Sequence, residues 1–214
     1  MATYTGSIAG KIKGDLGDYT FQGWKSLKVI RRKPDHYNDA NTLVQQNNRA
    51  KFEILNQLGK MFQPLVNVGM KTKANNTAQP MTTRNAFVSV NKDNVYIDQN
   101  GDPVIYYPQL ELSAGSLEDI GNGLTGTAVG TALRITWNKG TDTSRVNDKM
   151  YIAVRIEEIA ALIDSIAATT RESETFEIVL PQASTNPINV WVFLRDPITG
   201  NVSPTRSVTI TPTP

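Results

Sequence analysis

The sequence predicts an α+β protein, mainly β: an N-terminal β arm of hairpins, one long amphipathic helix, and a C-terminal β-sandwich. Three observations predict it. Glycines at 6, 10, 14, 17 and 23 punctuate β-prone pieces before residue 37. Apolar side chains recur at helical spacing from Leu43 to Leu65. About seven short alternating strands follow position 107, each bounded by turn residues. A chain of 214 residues is one large domain or two small ones and is long enough to bury a real core. The expected division is 1–106 for the arm, helix and hairpin region and 107–214 for the sandwich.

In the arm, SIAGKIKG, DYTFQG and SLKVIRR read as strands or extended arms separated by glycine turns. Tyr19, Phe21 and Trp24 are large aromatics in a segment too small to bury them alone, so they pack on the following helix or on another subunit. The densest basic run is Lys25, Lys28, Arg31, Arg32 and Lys33. Charge divides the same way: residues 1–73 hold 12 Lys and Arg against 5 Asp and Glu, and residues 74–214 hold 10 against 15. A basic head and an acidic body attract each other in neighbouring copies, or the head meets a polyanion. These eight residues, Tyr19, Phe21, Trp24, Lys25, Lys28, Arg31, Arg32 and Lys33, are the candidate interface.

The helix is expected to start after Asn41 or Thr42, with Thr42 and Gln45 in capping-box spacing. Its stripe is Leu43, Ala50, Ile54, Leu58, Met61, Phe62 and Leu65, with Asn47 in the gap as a polar contact. Gln46, Arg49, Glu53, Gln57 and Lys60 form the opposite face, which is solvated or meets a partner. Pro64 ends the helix near Phe62, because a proline inside it has no N–H and clashes with the preceding turn.

Residues 69–83 read as a loop, and RNAFVSVN as a helical turn or a strand. A hairpin follows, Val95–Ile97 and Val104–Tyr106, across Gln99-Asn100-Gly101-Asp102; Asn-Gly suits a tight turn because both residues tolerate positive φ. The later strands are LELSAGSL, ALRITWN, DKMYIAVRI, TFEIVLP, INVWVFLRD and SVTITP. IAALIDSIAATT reads as a strand pair or as a short helix crossing between sheets. In INVWVFLRD, Val190, Val192 and Leu194 alternate with Trp191 and Phe193, so both faces are apolar. That describes a central strand between two packed layers, or a sandwich with an apolar outer face used for association.

Composition argues against most enzyme chemistry. There is no cysteine, so no thiol nucleophile, disulfide or thiolate metal site. A lone His36, beside Pro34 and Asp35, supports no multi-histidine centre and reads as a loop residue. Phosphate-loop, dinucleotide and HExxH motifs are absent from the sequence. Asp98, Asn100 and Asp102 alternate like the start of a calcium loop, but the glycine falls one position early and no Glu closes the loop, so the hairpin turn is favoured. Glu157, Glu158 and Asp164 offer carboxylates for glycoside chemistry, while acids at a strand end are ordinarily solvated. Trp191 and Tyr151 are candidate sugar-stacking aromatics if exposed. No cofactor and no metal is expected. No run approaches the length of a membrane-spanning helix, and MATYTGSIAGKIKG lacks the apolar stretch of a signal peptide.

Two resemblances add to this reading. Trp137 at the end of an early strand, the strand VWVFLRD and the ending DPITGNVSPTRSVTIT resemble a fibronectin type III or related immunoglobulin-like domain. Over nearly its whole length, the chain also resembles an uncharacterised family from Bacteroidota and their phages. The matching features are GSIAGKIKGDLGDYTFQGWKSLKVIRRKP, QQNNRAKF, an LSAGSL strand, ITWN, NDKMYIAV and NVSPTRSVTI. The arm here is lysine-rich where relatives often read Gly-Asn-Val-Val. The resemblance implies an architecture and carries no catalytic residues.

The expected function is therefore a non-catalytic structural subunit that self-assembles. Its expected setting is a phage virion, as a tail or capsid-associated component, with copies of itself and neighbouring structural proteins as partners. Nucleic acid is disfavoured and no membrane is expected. The rival is a cell-surface or secreted binding module, with glycans as one ligand class.

Overall fold

The computed structural model describes residues 2–3, 13–24, 27–35, 40–76, 81–140, 143–156 and 161–213, and it separates into two units, Met1–Thr42 and Leu43–Pro214. The described strands of the first unit form one antiparallel sheet. Its strands are β1 (Ala2–Thr3), β2 (Gly14–Leu16), β3 (Tyr19–Trp24) and β4 (Leu27–Arg32), in the order β1-β4-β3-β2. The expected strands DYTFQG and SLKVIRR are β3 and β4; SIAGKIKG lies almost wholly outside the described residues. Gly17 takes φ +54° in the two-residue turn from β2 to β3, a conformation that favours glycine.

The second unit opens with four helices where one long helix was expected: α1 (Leu43–Met61), α2 (Gln63–Gly69), α3 (Lys71–Asn75) and α4 (Thr83–Asn91). α1 ends at Met61, and Pro64 sits in the first turn of α2, where a missing N–H costs nothing. RNAFVSVN is α4. The Thr82 hydroxyl accepts the Asn85 N–H at 3.0 Å to cap it, and Ala86 and Phe87 are buried. Part of the expected 69–83 loop is α3.

The buried stripe of α1 is rotated from the expected one. Leu55, Leu58 and Gly59 are buried and Phe62 follows, while Leu43 is 71% and Met61 39% exposed. Gln46, Arg49, Glu53, Gln57 and Lys60 are all exposed. The hairpin is β5 (Val95–Ile97) with β6 (Pro103–Ile105). Only Gly101 has positive φ in its connection, at +89°, so the turn is not the Asn-Gly pair that was expected. Asp98 organises the loop instead: its Oδ1 accepts the N–H groups of Asn100 and Asp102, each at 2.8 Å.

Seven further strands form two sheets. β7 (Thr125–Val129), β8 (Ala132–Thr136) and β11 (Thr175–Val179) are ordered β11-β8-β7. β9 (Lys149–Ile156), β10 (Ala161–Thr170), β12 (Ile188–Arg195) and β13 (Arg206–Ile210) are ordered β10-β9-β12-β13. IAALIDSIAATT is thus mostly one strand, β10, with a register shift between Ser165 and Thr169. LELSAGSL is not a strand. It runs as an irregular segment held by side-chain and backbone bonds: Asn91 grips Glu111 at both backbone groups, and the Ala114 N–H donates to Gly69 O at 3.1 Å. The Thr205 hydroxyl accepts from the Leu112 and Ser113 N–H groups.

The unit has two hydrophobic cores. One lies between the sheets, where Met150, Ile152, Val154, Val190, Val192 and Leu194 meet Leu133, Ile135, Trp137 and Ile178. The other lies on the opposite face of β9 and β12, where Tyr151, Ala153, Trp191 and Phe193 pack with Leu55, Phe62, Leu65, Val66 and Met70 of the helices. Layers of helices, four strands and three strands result. Trp191 is wholly buried: Phe62 meets its ring edge-on at 5.2 Å, and its indole N–H donates to Tyr107 O at 2.9 Å. The helices explain why both faces of β12 are apolar.

Candidate interaction surface

The pairing of the N-terminal sheet divides its residues between two faces. Residues opposite one another in an antiparallel ladder share a face, and the pairing sets Tyr19 beside Arg32, Phe21 beside Ile30 and Gly23 beside Lys28. β2 adds Leu16 beside Tyr19 and Gly14 beside Phe21. One face thus carries Leu16, Tyr19, Phe21 and Ile30 with Lys28 and Arg32 among them. Leu16 is 62% and Tyr19 50% exposed, so this apolar surface stays in contact with water.

The other face carries Asp15, Thr20, Gln22 and Arg31 with Val29 among them, and the Trp24 and Leu27 positions fall on it at the end of the ladder. Asp15 accepts the Thr20 hydroxyl at 2.7 Å and pairs with Lys33 at 3.0 Å. The Thr20 hydrogen bond, then Lys33, hold the Asp15 carboxyl below its ordinary range, and Arg31 acts in the same direction. The Lys33 N–H also donates to Asp18 O at 2.6 Å, which closes the sheet's open end. Arg32 pairs with Asp35 at 3.4 Å, both side chains well exposed. A groove of about 760 Å³ on this unit is lined by Lys13, Asp15, Thr20 and Phe21 among others.

The structure therefore brings Tyr19, Phe21, Lys28 and Arg32 onto one face, and sets Arg31 on the other. Lys33, one residue past β4, is tied to Asp15. Trp24 closes β3, but its side chain lies outside the described set, as does the whole of Lys25. His36, Glu157 and Glu158 also lie outside the described residues, and Asp164 is described only as a position in β10, opposite Ala153. Trp191 and Tyr151, considered above as sugar-stacking residues, are buried at 0% and 4% exposure, and Tyr151 stacks on Phe193 at 5.0 Å. Among the described residues no group of three acidic or histidine side chains is placed to hold a metal. No helix of the described residues is long and apolar enough to cross a membrane.

One polar cluster had no signal in the sequence. Arg171 and Asp148 form an ion pair at 3.3 Å, with side chains only 2% and 5% exposed. Arg171 Nη2 also donates to Glu118 O at 2.6 Å, and its backbone carbonyl accepts the Trp137 indole N–H at 2.8 Å. Its Nε has no hydrogen-bond partner among the described residues. Burial pushes the Asp148 carboxyl above its ordinary range, against the pull of Arg171 and Arg145.

Fold and surface together define a class of protein: a three-layer α+β body of helices and antiparallel sheets, carrying a small β unit with an exposed apolar and cationic face. Within that class, the chain belongs to a family of unknown function, DUF6266, whose model matches residues 10–201. This bears out the resemblance to an uncharacterised family. None of the curated proteins compared with the chain matches it.

Proposed function

We propose that the protein is a non-catalytic structural subunit that self-assembles through its N-terminal unit. The observation that carries this reading is the exposure of Leu16 and Tyr19 on one face of the sheet, beside the half-buried Phe21 and Ile30. A single sheet of this size does not bury its own apolar side, and such a face calls for a partner surface. Lys28 and Arg32 on the same face favour a partner with acidic groups, and residues 74–214 of a neighbouring copy carry an acidic excess. A phage virion is the setting we favour, as a tail or capsid-associated component; that choice rests on the sequence resemblance to proteins of Bacteroidota and their phages.

The strand order favours a second reading, a cell-surface or secreted binding module. In both sheets of the body, the chain makes two strands in one sheet, crosses for two, returns for one and crosses back for two. That path supports likeness to fibronectin type III domains, as does Trp137 buried just after β8.

Light scattering after gel filtration, at low and high salt, separates the readings. Self-association that deletion of residues 1–33 abolishes, with the body still folded, supports the structural subunit. A truncated chain that assembles normally removes the N-terminal unit from the mechanism. A full-length chain that stays at 23.6 kDa in both salts favours the binding module.

A further inference from the structure

The basic excess of the first 73 residues is not confined to the N-terminal unit. Residues 43–73, which form α1 to α3, carry five Lys and Arg against the single acid Glu53. Part of that charge faces a cleft. A cavity of about 520 Å³ opens between α2–α3 and the β12–β13 connection, within the range of small-ligand sites, about 300–1,000 Å³. Among the described residues its lining includes Lys71 and Arg195 and no carboxylate. Neither cation has an acidic partner among the described residues. The nearest acid in sequence, Asp196, is committed to its own turn: its carboxylate accepts from the Ile198 N–H and from both the N–H and the hydroxyl of Thr199. Those bonds hold Asp196 below its ordinary range.

The remaining donors narrow the ligand. Asn75, Asn76 and Asn201 line the cavity with carboxamides, and Thr72 adds a hydroxyl. A carboxamide offers donor and acceptor together, which suits a ligand with several hydroxyls; a phosphate is mainly an acceptor and leaves most of the carboxamide oxygens unused. Lys71 supplies a point charge and Arg195 a planar fork suited to a carboxylate. The cleft walls are set beforehand. Met70, between α2 and α3, is wholly buried, and the opposite turn is locked by Asp196 with Gly200 at φ +75°.

We propose that this cleft binds an acidic saccharide unit, its carboxylate held by Lys71 and Arg195 and its hydroxyls by Asn75, Asn76, Asn201 and Thr72. The proposal is independent of self-assembly: a subunit or a monomeric module presents the same cleft. Ligand-observed saturation-transfer NMR tests it on the full chain, because the readout tolerates large assemblies. The probes are D-glucuronate and D-glucose, observed directly, and inorganic phosphate, which has no carbon-bound proton and is read by its displacement of the glucuronate signal. The expected result is a saturable glucuronate signal with a Kd below about 10 mM. The Lys71→Gln/Arg195→Gln double variant weakens it at least ten-fold, Lys60→Gln leaves it unchanged, and glucose gives no signal. Lys71 is exposed and Arg195 half-buried, and an unaltered circular dichroism spectrum verifies the fold. No saturable signal, or equal binding by the double variant, overturns the proposal. Phosphate binding as tightly as glucuronate overturns the saccharide assignment, since the ring and hydroxyls then contribute nothing.

Discussion

Replacing Arg171 with Met tests the buried ion pair at the end of the sheet stack. The substitution keeps most of the volume and removes three things: the 3.3 Å pair with Asp148, the 2.6 Å bond to Glu118 O, and the unpartnered Nε. Losing one member of a buried pair costs about 3–5 kcal/mol, because the other charge stays desolvated. Eliminating the orphan Nε returns about 1 kcal/mol or more. The expected net loss is about 2–4 kcal/mol, a large share of a typical 5–15 kcal/mol stability. The double variant Arg171→Met/Asp148→Asn removes the stranded charge and should recover much of the deficit. The pH dependence has a definite sign. Burial already holds the Asp148 carboxyl of the folded protein above its ordinary range, and loss of Arg171 raises it further. A carboxyl raised in the folded state binds its proton more tightly there, so the deficit is smallest below the unfolded pKa and grows as pH rises through the folded one. Urea denaturation followed by circular dichroism at pH 4.5 and 7.5 reads both effects. A single-variant deficit below about 1 kcal/mol, the same at both pH values, would refute the reasoning.

Trp191→Ala should cost about 3–5 kcal/mol in the same denaturation assay, since it opens a cavity where the sheet meets Phe62 and strands Tyr107 O. Gly115→Ala should destabilise by about 1–3 kcal/mol or more, because a Cβ there overlaps the Val202 carbonyl oxygen, which is backbone and cannot swing away. The Asp15 carboxyl should titrate below 3.8 by NMR. Its contribution to the N-terminal sheet is complete above that value and fades as pH falls through the lowered one, and Asp15→Asn should abolish this acid step. In a charge-reversed chain with Lys28, Arg31 and Arg32 changed to Glu, self-association should weaken by about 0–1 kcal/mol per exposed pair, measured by light scattering. An unchanged oligomer means that the basic run is only solvated.

Local patterns were legible wherever one residue type controls geometry. Pro64 marked the end of α1, and the alternation of Met150, Ile152, Val154 and Ile156 marked β9. α4 was ambiguous because VSV is β-prone; the Thr82 cap and the burial of Ala86 and Phe87 decide it, and tertiary packing overrides propensity there. LELSAGSL alternates like a strand, yet its polar groups are met by Asn91, Gly69 and Thr205, distant in sequence, so no local pattern reveals it. β7 was missed because TGTAV has little apolar bulk; Gly126 sits where the Ile210 side chain packs against the backbone. The aromatic and basic residues of the N-terminal unit were visible as composition, but their division between two faces needed the β3–β4 register. The Lys71–Arg195 cleft joins positions far apart in the chain and had no sequence signal at all.

The two apolar sides of β12 change what specifies its alignment. On a half-exposed strand, a slip by one residue drives polar groups inward, and water enforces the register. Here a slip exchanges one set of hydrophobes for another, so solvent preference barely discriminates. Volume takes over: the sheet-stack side accepts Val190, Val192 and Leu194, while the helix side is shaped for Trp191 and Phe193. Pushing an indole into a valine-sized space is as effective a veto as exposing it. The alignment of this strand is thus encoded as a size code read by two differently shaped moulds, and swapping Trp191 with Val192 would scramble it without altering composition.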